Sequence, residues 1–493
     1  MKEVPIGKLP FDALTHVIGP HQATRLANCV RAARQRLQGR AIWHVNSTAQ
    51  GGGVAEMLQT LLAYERGAGL DLRWLVIDAD PAFFALTKRL HHRLHGAAGD
   101  DGDLGRHDRD HFWSVAQRNG EQILKRVRPN DIVLLHDPQT AGLIPALREA
   151  GARVVWRCHI GVEESNAFTE QAWEFLRPYV HGAHATIFTR AAYVPAWLDS
   201  TRVWIVPPAT DALSPKNCFL KPTMVRALLR QVGVLDGVPS RRIAELARSG
   251  WIVERVRRRP QILQVAPLPR AEVPLVVQVS RWDPLKDMLG VMEGFASQAA
   301  RFSSAHLALV GPDPQNVADD PEGIGVYEEC VAAWHRLRTN VRERVHLVSL
   351  PMLSAHENAL MVNAFQRHAA VVVQKSLREG FGLTVTEAMY KGRPIIASRV
   401  GGIQDQITHD VHGLLLDDPT NARAFGDALA RLLADTKLAR RLGRNARRRA
   451  VAEYLGPRQL LQLLDLVSAL DGKDSPRCWP QAIQDDSARR RSA

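Results

Sequence analysis

The stretch EGFGLTVTE at residues 379–387 places two glutamates around a glycine-rich turn. Gly380 and Gly382 carry no Cβ atom, so the backbone of this turn can approach a ligand closely. An ionised glutamate accepts hydrogen bonds with both oxygens, and Glu379 and Glu387 are therefore suited to holding hydroxyl groups of two different sugar rings. Two glutamates at this spacing form only a short motif. The simpler alternative is that Glu379 is a solvated charge on a loop and Glu387 a charge on a helix surface.

A second stretch, SRWDPLKD at residues 280–287, supplies two cations. A departing diphosphate needs positive charge, and the guanidinium of Arg281 can hold two of its oxygens. Lys286 adds a second charge that could stabilise a transition state in a closed site. An exposed surface pair worth about 0–1 kcal/mol is the alternative. Hydroxyl-binding glutamates and phosphate-binding cations together fit a ligand made of a hexose, a diphosphate and a ribose, as in a nucleotide sugar.

The first half of the chain has its own candidates at the ends of predicted strands. They are Gly51, Gly52 and Gly53 in STAQGGGVAEM, Asp137 with His136 in LLHDPQTAG, and His159 in WRCHIG. The glycine run matches neither the dinucleotide-binding fingerprint nor the P-loop, but it permits close approach of backbone to a ligand. A histidine or aspartate at a strand end is as often structural as functional, so both interpretations stay open for these side chains.

Composition and charge exclude several classes of protein. The five cysteines of the 493 residues are scattered and form no CxxC pair, which favours reduced thiols over a disulfide framework or a zinc site. His91 and His95 could form half a metal site, but without a third ligand a helix surface is favoured, and we expect no metal and no cofactor. The absence of a long apolar run favours a cytoplasmic protein without a membrane partner.

The formal net charge of +13 raises the question of a nucleic-acid partner. Much of the excess lies in arginine runs at 241–260, 439–449 and the C-terminus. These runs contain no aromatic RNA-binding motif and no zinc-finger pattern. We therefore interpret them as solvated arginines and expect no nucleic acid as partner.

The elements that must position the candidate residues alternate along the chain. Short Val- and Ile-rich runs are separated by helical patterns, which predicts βαβ units and parallel sheets. The predicted strands are 40–45, 72–77, 130–136, 153–160, 184–189 and 202–207, then 274–280, 306–311, 344–349, 369–374, 393–398 and 412–418. The expected fold is α/β with two doubly wound, Rossmann-like domains facing a central cleft. In such sheets ligands bind at the carboxyl ends of the strands, where the candidate residues lie.

The prolines of VPPATDALSP, residues 206–215, mark the expected boundary between the domains. The prediction is an N-terminal domain of residues 1–208 and a C-terminal domain of residues 209–455. Residues 216–270 are arginine-rich and are interpreted as an inserted helical segment or a mobile excursion. Residues 473–493 are polar and are expected to be disordered.

Longer strings carry a resemblance to a known family. They include HVNSTAQGGGVAEML, HDPQTAGLIP, VWRCHI, VVQVSRWDPLKD and VVVQKSLREGFGLTVTEAMYKGRPIIASRVGGIQDQI. With them the chain resembles the trehalose glycosyltransferring synthases, which are retaining GT-B glycosyltransferases of family 4. The resemblance covers most of residues 35–215 and 272–460. It implies that the C-terminal helix, 456–472, returns to the N-terminal domain, and it is compatible with a homodimer.

The resemblance implies transfer of glucose from a nucleoside diphosphate glucose to free glucose, forming α,α-trehalose. The resemblance also implies a role for each candidate. On the donor side, Arg281 and Lys286 hold the diphosphate, Glu387 holds the ribose, and the transferred glucose is held by Glu379 and the backbone of Gly380, Phe381, Gly382 and Leu383. The resemblance further implies that His159 contacts this glucose near its reacting end, that Asp137 faces the acceptor sugar, and that Gly51, Gly52 and Gly53 lie between acceptor and phosphates. A trehalose phosphorylase using inorganic phosphate and glucose 1-phosphate is an alternative with the same fold. A non-catalytic sugar- or nucleic-acid-binding protein is an alternative of another class.

Overall fold

The computed structural model describes residues 1–49, 53–100, 102–238, 256–265, 267–302, 304–316 and 322–472. Contacts divide the chain into two compact units, Met1–Ala209 with the C-terminal segment from Leu455, and Thr210–Tyr454. Each unit contains one seven-stranded sheet with helices packed on it. The predicted fold class, α/β with two doubly wound sheets, is confirmed by this topology.

Most strand pairs in both sheets are parallel. The first sheet has the spatial order β1-β3-β2-β4-β5-β6-β7 and the second β14-β13-β12-β9-β10-β11-β8. The strands of the first are β1 Lys2–Glu3, β2 Ile42–Asn46, β3 Leu72–Val76, β4 Ile132–His136, β5 Arg153–Cys158, β6 Ala185–Phe188 and β7 Val203–Ile205. Those of the second are β8 Gln261–Leu263, β9 Leu275–Val279, β10 His306–Pro312, β11 Val345–Leu350, β12 Val371–Gln374, β13 Ile395–Ser398 and β14 Leu414–Leu416.

The helices connect and cover these strands. Before the second sheet they are α1 Thr15–Ile18, α2 Pro20–Arg36, α3 Gly53–Gly67, α4 Pro81–Leu94, α5 Arg106–Ile123, α6 Ile144–Glu149 and α7 Ala167–Val180. They continue with α8 Pro222–Val232, α9 Met288–Ser297, α10 Glu322–Arg336, α11 Thr339–Arg342, α12 Ala355–His368, α13 Leu383–Tyr390, α14 Ile403–Gln406, α15 Ala422–Ala434, α16 Thr436–Glu453 and α17 Gly456–Leu470. Within the described residues, no helix is long and apolar enough to cross a bilayer.

Two edge strands that the sequence pattern did not predict run antiparallel to their neighbours. Strand β1 pairs with β3, and β8 pairs with β11. They are two and three residues long, too short to show a periodic pattern. From the sequence, residues 216–270 are interpreted as an inserted helical segment or a mobile excursion. Their described parts include the helix α8, which buries Val225 and Leu229, and the strand β8, which joins the second sheet. Residues 239–255, residue 266 and the tail 473–493 lie outside the described residues.

The first sheet is covered on both faces, which explains why its strands are continuous apolar runs. One face packs Trp43, Leu135 and Trp156 with α4, α5 and α7. The other packs Ile42 and Leu134 with α2, α3 and α17. Alternate residues of one strand therefore lie in different layers. This alternation places His44, His136 and Arg157 on the face that α3 and α17 cover.

Candidate active site

The loop after β9 carries the two predicted phosphate ligands. Its shape is held by Asp283, whose carboxylate accepts a hydrogen bond from the Leu285 N–H at 2.8 Å. The same side chain pairs with Arg281 at 3.0 Å, and the Arg281 side chain is 58% exposed. Gln278, fully buried on β9, donates to the carbonyl of Lys286 at 2.7 Å. The strand thus fixes the lysine backbone, whereas the arginine side chain lies largely in solvent.

Lys286 and Glu379 form an ion pair between two neighbouring strand ends. Lys286 Nζ lies 2.7 Å from Glu379 Oε2, and the side chains are only 17% and 13% exposed. The pair forms because β9 and β12 are adjacent, and the Leu377 N–H donates to the Leu285 carbonyl at 2.8 Å between the two loops. An ammonium has three donors, so Lys286 can bind a further anion while it holds the carboxylate. Glu379 is therefore not a solvated loop charge.

The turn between Glu379 and α13 is built for close backbone contacts. Gly382 has φ = 87°, a left-handed conformation that favours glycine, and it caps α13. A Cβ atom on Gly380 would meet nothing within 4 Å, which leaves this side of the turn open. The Phe381 side chain is buried against Tyr454, with ring centroids 5.9 Å apart. Only its backbone can serve a ligand.

Three residues that the sequence analysis did not single out hold this turn. The Gly402 N–H donates to the Gly380 carbonyl at 3.0 Å, and Gln406 Nε2 donates to the Phe381 carbonyl at 2.5 Å. A Cβ atom on Gly401 would overlap the carbonyl oxygen of Glu379. The Gly-Gly dipeptide shortly after the next strand, β13, was the available signal, since such a dipeptide marks a turn.

The first N–H groups of α13 have no hydrogen-bond acceptor within the helix. The first hydrogen bond of the helix runs from the Val385 N–H to the Gly382 carbonyl, so the N–H groups of Leu383 and Thr384 precede the helical pattern. Such groups, with the helix dipole, favour an anionic ligand. Backbone donors, a lysine and an open turn therefore meet at one strand edge of this unit.

Glu387 lies in a separate cluster on the same helix. It is 5% exposed, and its Oε1 lies 3.6 Å from Lys216 Nζ, whereas Lys286 pairs with Glu379. The buried Lys391 ammonium lies beside it and bonds Asn217 and Gln366 at 2.7 Å each. Burial lowers the pKa of Lys391 to about 7, against the opposing charge of Glu387. Glu387 is therefore a buried carboxylate and not a helix-surface charge.

In the first unit, Asp137 and His159 meet where β4 and β5 end. The backbone N–H of His159 donates to Asp137 Oδ1 at 2.8 Å, and the backbone N–H of Asp137 donates to the Arg157 carbonyl at 2.8 Å. Asp137 has φ = 63°, a strained conformation of the kind that recurs at functional sites. Burial raises the pKa of Asp137 to about 7, while the His159 N–H and the Arg157 charge oppose the rise. Both side chains are half-buried.

Of the glycine run, Gly53 is the described member. It is exposed and begins α3, and a Cβ atom there would meet nothing within 4 Å. Gly51 and Gly52 lie outside the described residues. His91 of α4 and His95, which directly follows this helix, contact each other with ring centroids 4.8 Å apart. Across the described parts of the chain, no three His, Cys, Asp or Glu side chains converge as a metal-binding group.

Two family models match the chain, one in each unit. Residues 44–195 match the model described as "Trehalose synthase, N-terminal domain", and residues 263–449 match "Glycosyl transferases group 1". A trehalose synthase from Rubrobacter xylanophilus is 35% identical over 443 residues, which is 89% of this chain and 92% of the relative. The two matches and the relative therefore cover both candidate clusters.

More distant proteins share parts of this similarity. A trehalose phosphorylase from Pleurotus pulmonarius is 27% identical over 82% of this chain and 53% of its own length. The solved structure of a sucrose-phosphate synthase from Thermosynechococcus elongatus aligns with a TM-score of 0.58 at 20% identity, over 88% of this chain and 99% of that one, and supports the GT-B fold. The chain belongs to the trehalose synthase family of GT-B glycosyltransferases.

Proposed function

We propose that this glycosyltransferase transfers glucose from a nucleoside diphosphate glucose to free glucose, with retention of configuration, forming α,α-trehalose. The observation that carries the proposal is the Lys286–Glu379 pair at 2.7 Å beside the N-terminus of α13. It combines a phosphate-binding cation, free backbone donors and a hydroxyl-binding carboxylate. A sugar diphosphate contains the complementary groups.

The reaction needs charge stabilisation more than covalent chemistry. The bond between the anomeric carbon and the diphosphate oxygen breaks, and the acceptor hydroxyl oxygen bonds to the same face of that carbon. Its proton passes to the departing phosphate oxygen, so no further base is needed. As negative charge grows on the phosphate, Lys286 and Arg281 bind it more strongly than in the ground state, which accelerates the step.

Retention in this scheme does not use a glutamate nucleophile. Retaining enzymes that act in two steps form a covalent bond to a carboxylate. Glu379 is held by Lys286, and the Ser376 hydroxyl lies 3.4 Å from the same oxygen. We assign Glu379 to the glucose hydroxyls, together with the N–H groups from Gly380 to Leu383.

The remaining roles are assigned from the resemblance to the retaining GT-B glycosyltransferases. Glu387, buried one helical turn beyond the site of the phosphates, is assigned to the ribose of the donor. Asp137 is assigned to a hydroxyl of the acceptor glucose, which its carboxylate form would accept. His159 is assigned to the donor glucose near its reacting carbon. The backbone N–H of His159 holds the Asp137 carboxylate beside this histidine.

A trehalose phosphorylase is the second candidate, because a relative with that name matches much of the chain. Its glucose 1-phosphate would use the same cations, since it too carries a phosphate on the anomeric carbon. The decisive experiment supplies labelled glucose with ADP-, UDP- or GDP-glucose, and in a parallel reaction with glucose 1-phosphate. We expect trehalose from at least one nucleotide sugar, and none from it after Glu379→Gln. Trehalose from glucose 1-phosphate alone would replace the proposal with the phosphorylase.

A further inference from the structure

Three histidine side chains form a continuous hydrogen-bonded chain through the first unit. His159 Nε2 lies 3.0 Å from His136 Nδ1, and His136 Nε2 lies 3.0 Å from His44 Nδ1. The rings stack at centroid distances of 5.3 Å for both pairs. The strand register produces this line, because His44 pairs with Leu134 and His136 with Arg157, so that each histidine lies two residues beyond its neighbour's partner.

The inner end of the histidine chain lies at a cavity that polar and apolar side chains line together. His44 is 5% exposed, and the cavity is lined by His44, Glu65 of α3, Arg157 of β5 and Gln459 of α17, among apolar side chains. It offers about 20 Å³ to a water-sized sphere, which is enough for about one water molecule. His44 Nε2, Glu65 Oε2 and Gln459 Oε1 are buried atoms that have no hydrogen-bond partner among the described residues. Three such atoms around a cavity of this size indicate a site for a bridging water.

The three imidazoles of the histidine chain are neutral. Burial is the main cause that lowers the pKa of all three, to about 3 for His44, and the charge of Arg157 acts in the same direction. A neutral imidazole has one N–H and one acceptor nitrogen. His136 uses both nitrogens within the chain, so only two arrangements satisfy every contact. Either all N–H groups point toward the cavity, or all point toward His159.

The two arrangements give His159 opposite properties at Nδ1, its outer nitrogen. If His44 donates from Nε2 into the cavity, Nδ1 of His159 carries a lone pair. If His44 Nε2 accepts a hydrogen bond in the cavity, Nδ1 of His159 carries the proton. The hydrogen bond that His44 Nε2 makes in the cavity, as donor or as acceptor, therefore decides whether Nδ1 of His159 accepts or donates a hydrogen bond. His159 is the half-buried end of the histidine chain.

We propose that the His44–His136–His159 chain links the protonation state of Glu65 in the cavity to the active site. The neutral carboxyl group of Glu65 makes Nδ1 of His159 a hydrogen-bond donor toward the donor glucose. The direction of the hydrogen bonds along the histidine chain follows from the first unit alone. The contact with the sugar rests on the function proposed above. Glu65, His44 and His136 are positioning residues, because they act through His159.

The electrostatics of the cavity support a neutral Glu65. Burial raises the pKa of Glu65 to about 8, and the nearby Arg157 charge lowers it only in part. Among the described residues, the charged or titratable groups that face the histidine chain are Glu65 from α3, Arg157 from β5 and Asp137 beside His159. Helix α17 contributes the neutral Gln459 and Gln462 to the cavity lining. At pH 7 the Glu65 carboxyl can donate its proton, directly or through water, to His44 Nε2. Above about pH 8 the carboxylate accepts, and the chain reverses.

The test observes the ring nitrogens by ¹⁵N NMR of full-length protein labelled at histidine, without any substrate. Signals are assigned by their loss in His159→Gln and His44→Phe. We expect His159 to carry its proton on Nδ1 at pH 7 and to change to Nε2 as the pH rises through about 8. Glu65→Gln, which cannot ionise, should abolish that change. A proton on Nε2 at pH 7, or an unchanged titration in Glu65→Gln, would overturn the proposal.

His44→Phe supplies an independent variant if Glu65→Gln does not fold. It interrupts the chain without altering either end, and the pH-dependent change at His159 should disappear. A persistent change would show that His159 responds to a group other than Glu65. In the kinetic arm, kcat/KM for the nucleotide sugar should vary across the same pH interval in wild type and not in Glu65→Gln. If no transfer occurs at all, the proposed function fails, while the NMR result still decides the direction of the chain.

Discussion

Replacing Lys286 by methionine removes one charge while keeping a side chain of similar length. Lys286 supplies the charged partner of Glu379 at 2.7 Å, with both side chains largely shielded from solvent. Loss of one preorganised donor to developing charge typically lowers kcat by about 100- to 1,000-fold, which equals about 2.7–4 kcal/mol in the activation barrier. Leaving Glu379 without its cation should also lower the free energy of unfolding by about 1–3 kcal/mol.

Two measurements separate these effects. Initial rates of trehalose formation at saturating glucose give kcat and KM for the donor, and urea unfolding shows that the variant is folded under the assay conditions. Lys437→Met, at an exposed position of α16, is the matched control and should change neither value. The double variant Lys286→Met with Glu379→Gln should stay inactive even if it regains stability. A folded Lys286→Met enzyme with kcat within roughly threefold of wild type would refute the phosphate role.

Four other changes test separate parts of the site. Arg281→Ala should lower kcat by about 100- to 1,000-fold with little effect on unfolding, because the side chain is 58% exposed; wild-type turnover would place Arg281 outside the site. Glu387→Gln should mainly raise KM for the donor, and an unchanged KM would argue against a ribose contact. Since the pKa of Asp137 is raised to about 7, its carboxylate is lost as the pH falls, so KM for the acceptor glucose should rise below pH 7, which an Asp137→Asn profile would not show. Gly401→Ala should lower the melting temperature, because φ is 48° and a Cβ atom would overlap the Glu379 carbonyl; unchanged thermal unfolding would contradict that geometry.

The sheets were predictable because their strands are buried on both faces. Runs such as Leu275–Val279 and Val371–Gln374 are almost entirely apolar, which is typical of parallel strands between helical layers. The two-residue β1 and the three-residue β8 gave no such signal. Their pairing depends on tertiary contacts with β3 and β11, which the local sequence does not encode.

The closeness of Lys286 and Glu379 followed from a general rule of doubly wound sheets. Both residues come shortly after a strand, and the carboxyl ends of parallel strands lie at one edge. That β9 and β12 are neighbours was not deducible from their order in the chain, since β10 and β11 intervene in sequence. The rule therefore predicted the edge, and the crossover topology determined the contact.

The burial of Glu387 and the contacts of the histidine chain were not predicted from the sequence. Glu387 has the pattern of an exposed helix residue, yet it lies buried beside Lys216 and Lys391 from distant parts of the sequence. The histidine chain depends on the register of three strands, which places His44 next to His136 and His136 next to His159. Single residues in separate motifs gave no sign of these contacts.

The most direct test of the central claim is the stereochemistry of the product. Wild-type enzyme is given [1-¹³C]glucose and each unlabelled nucleoside diphosphate α-glucose, and the anomeric signals are followed by NMR. We expect trehalose with one labelled and one unlabelled ring, both in the α configuration, formed together with nucleoside diphosphate. A β-linked donor ring would contradict retention, and the absence of trehalose with every nucleotide sugar would contradict the proposed reaction itself.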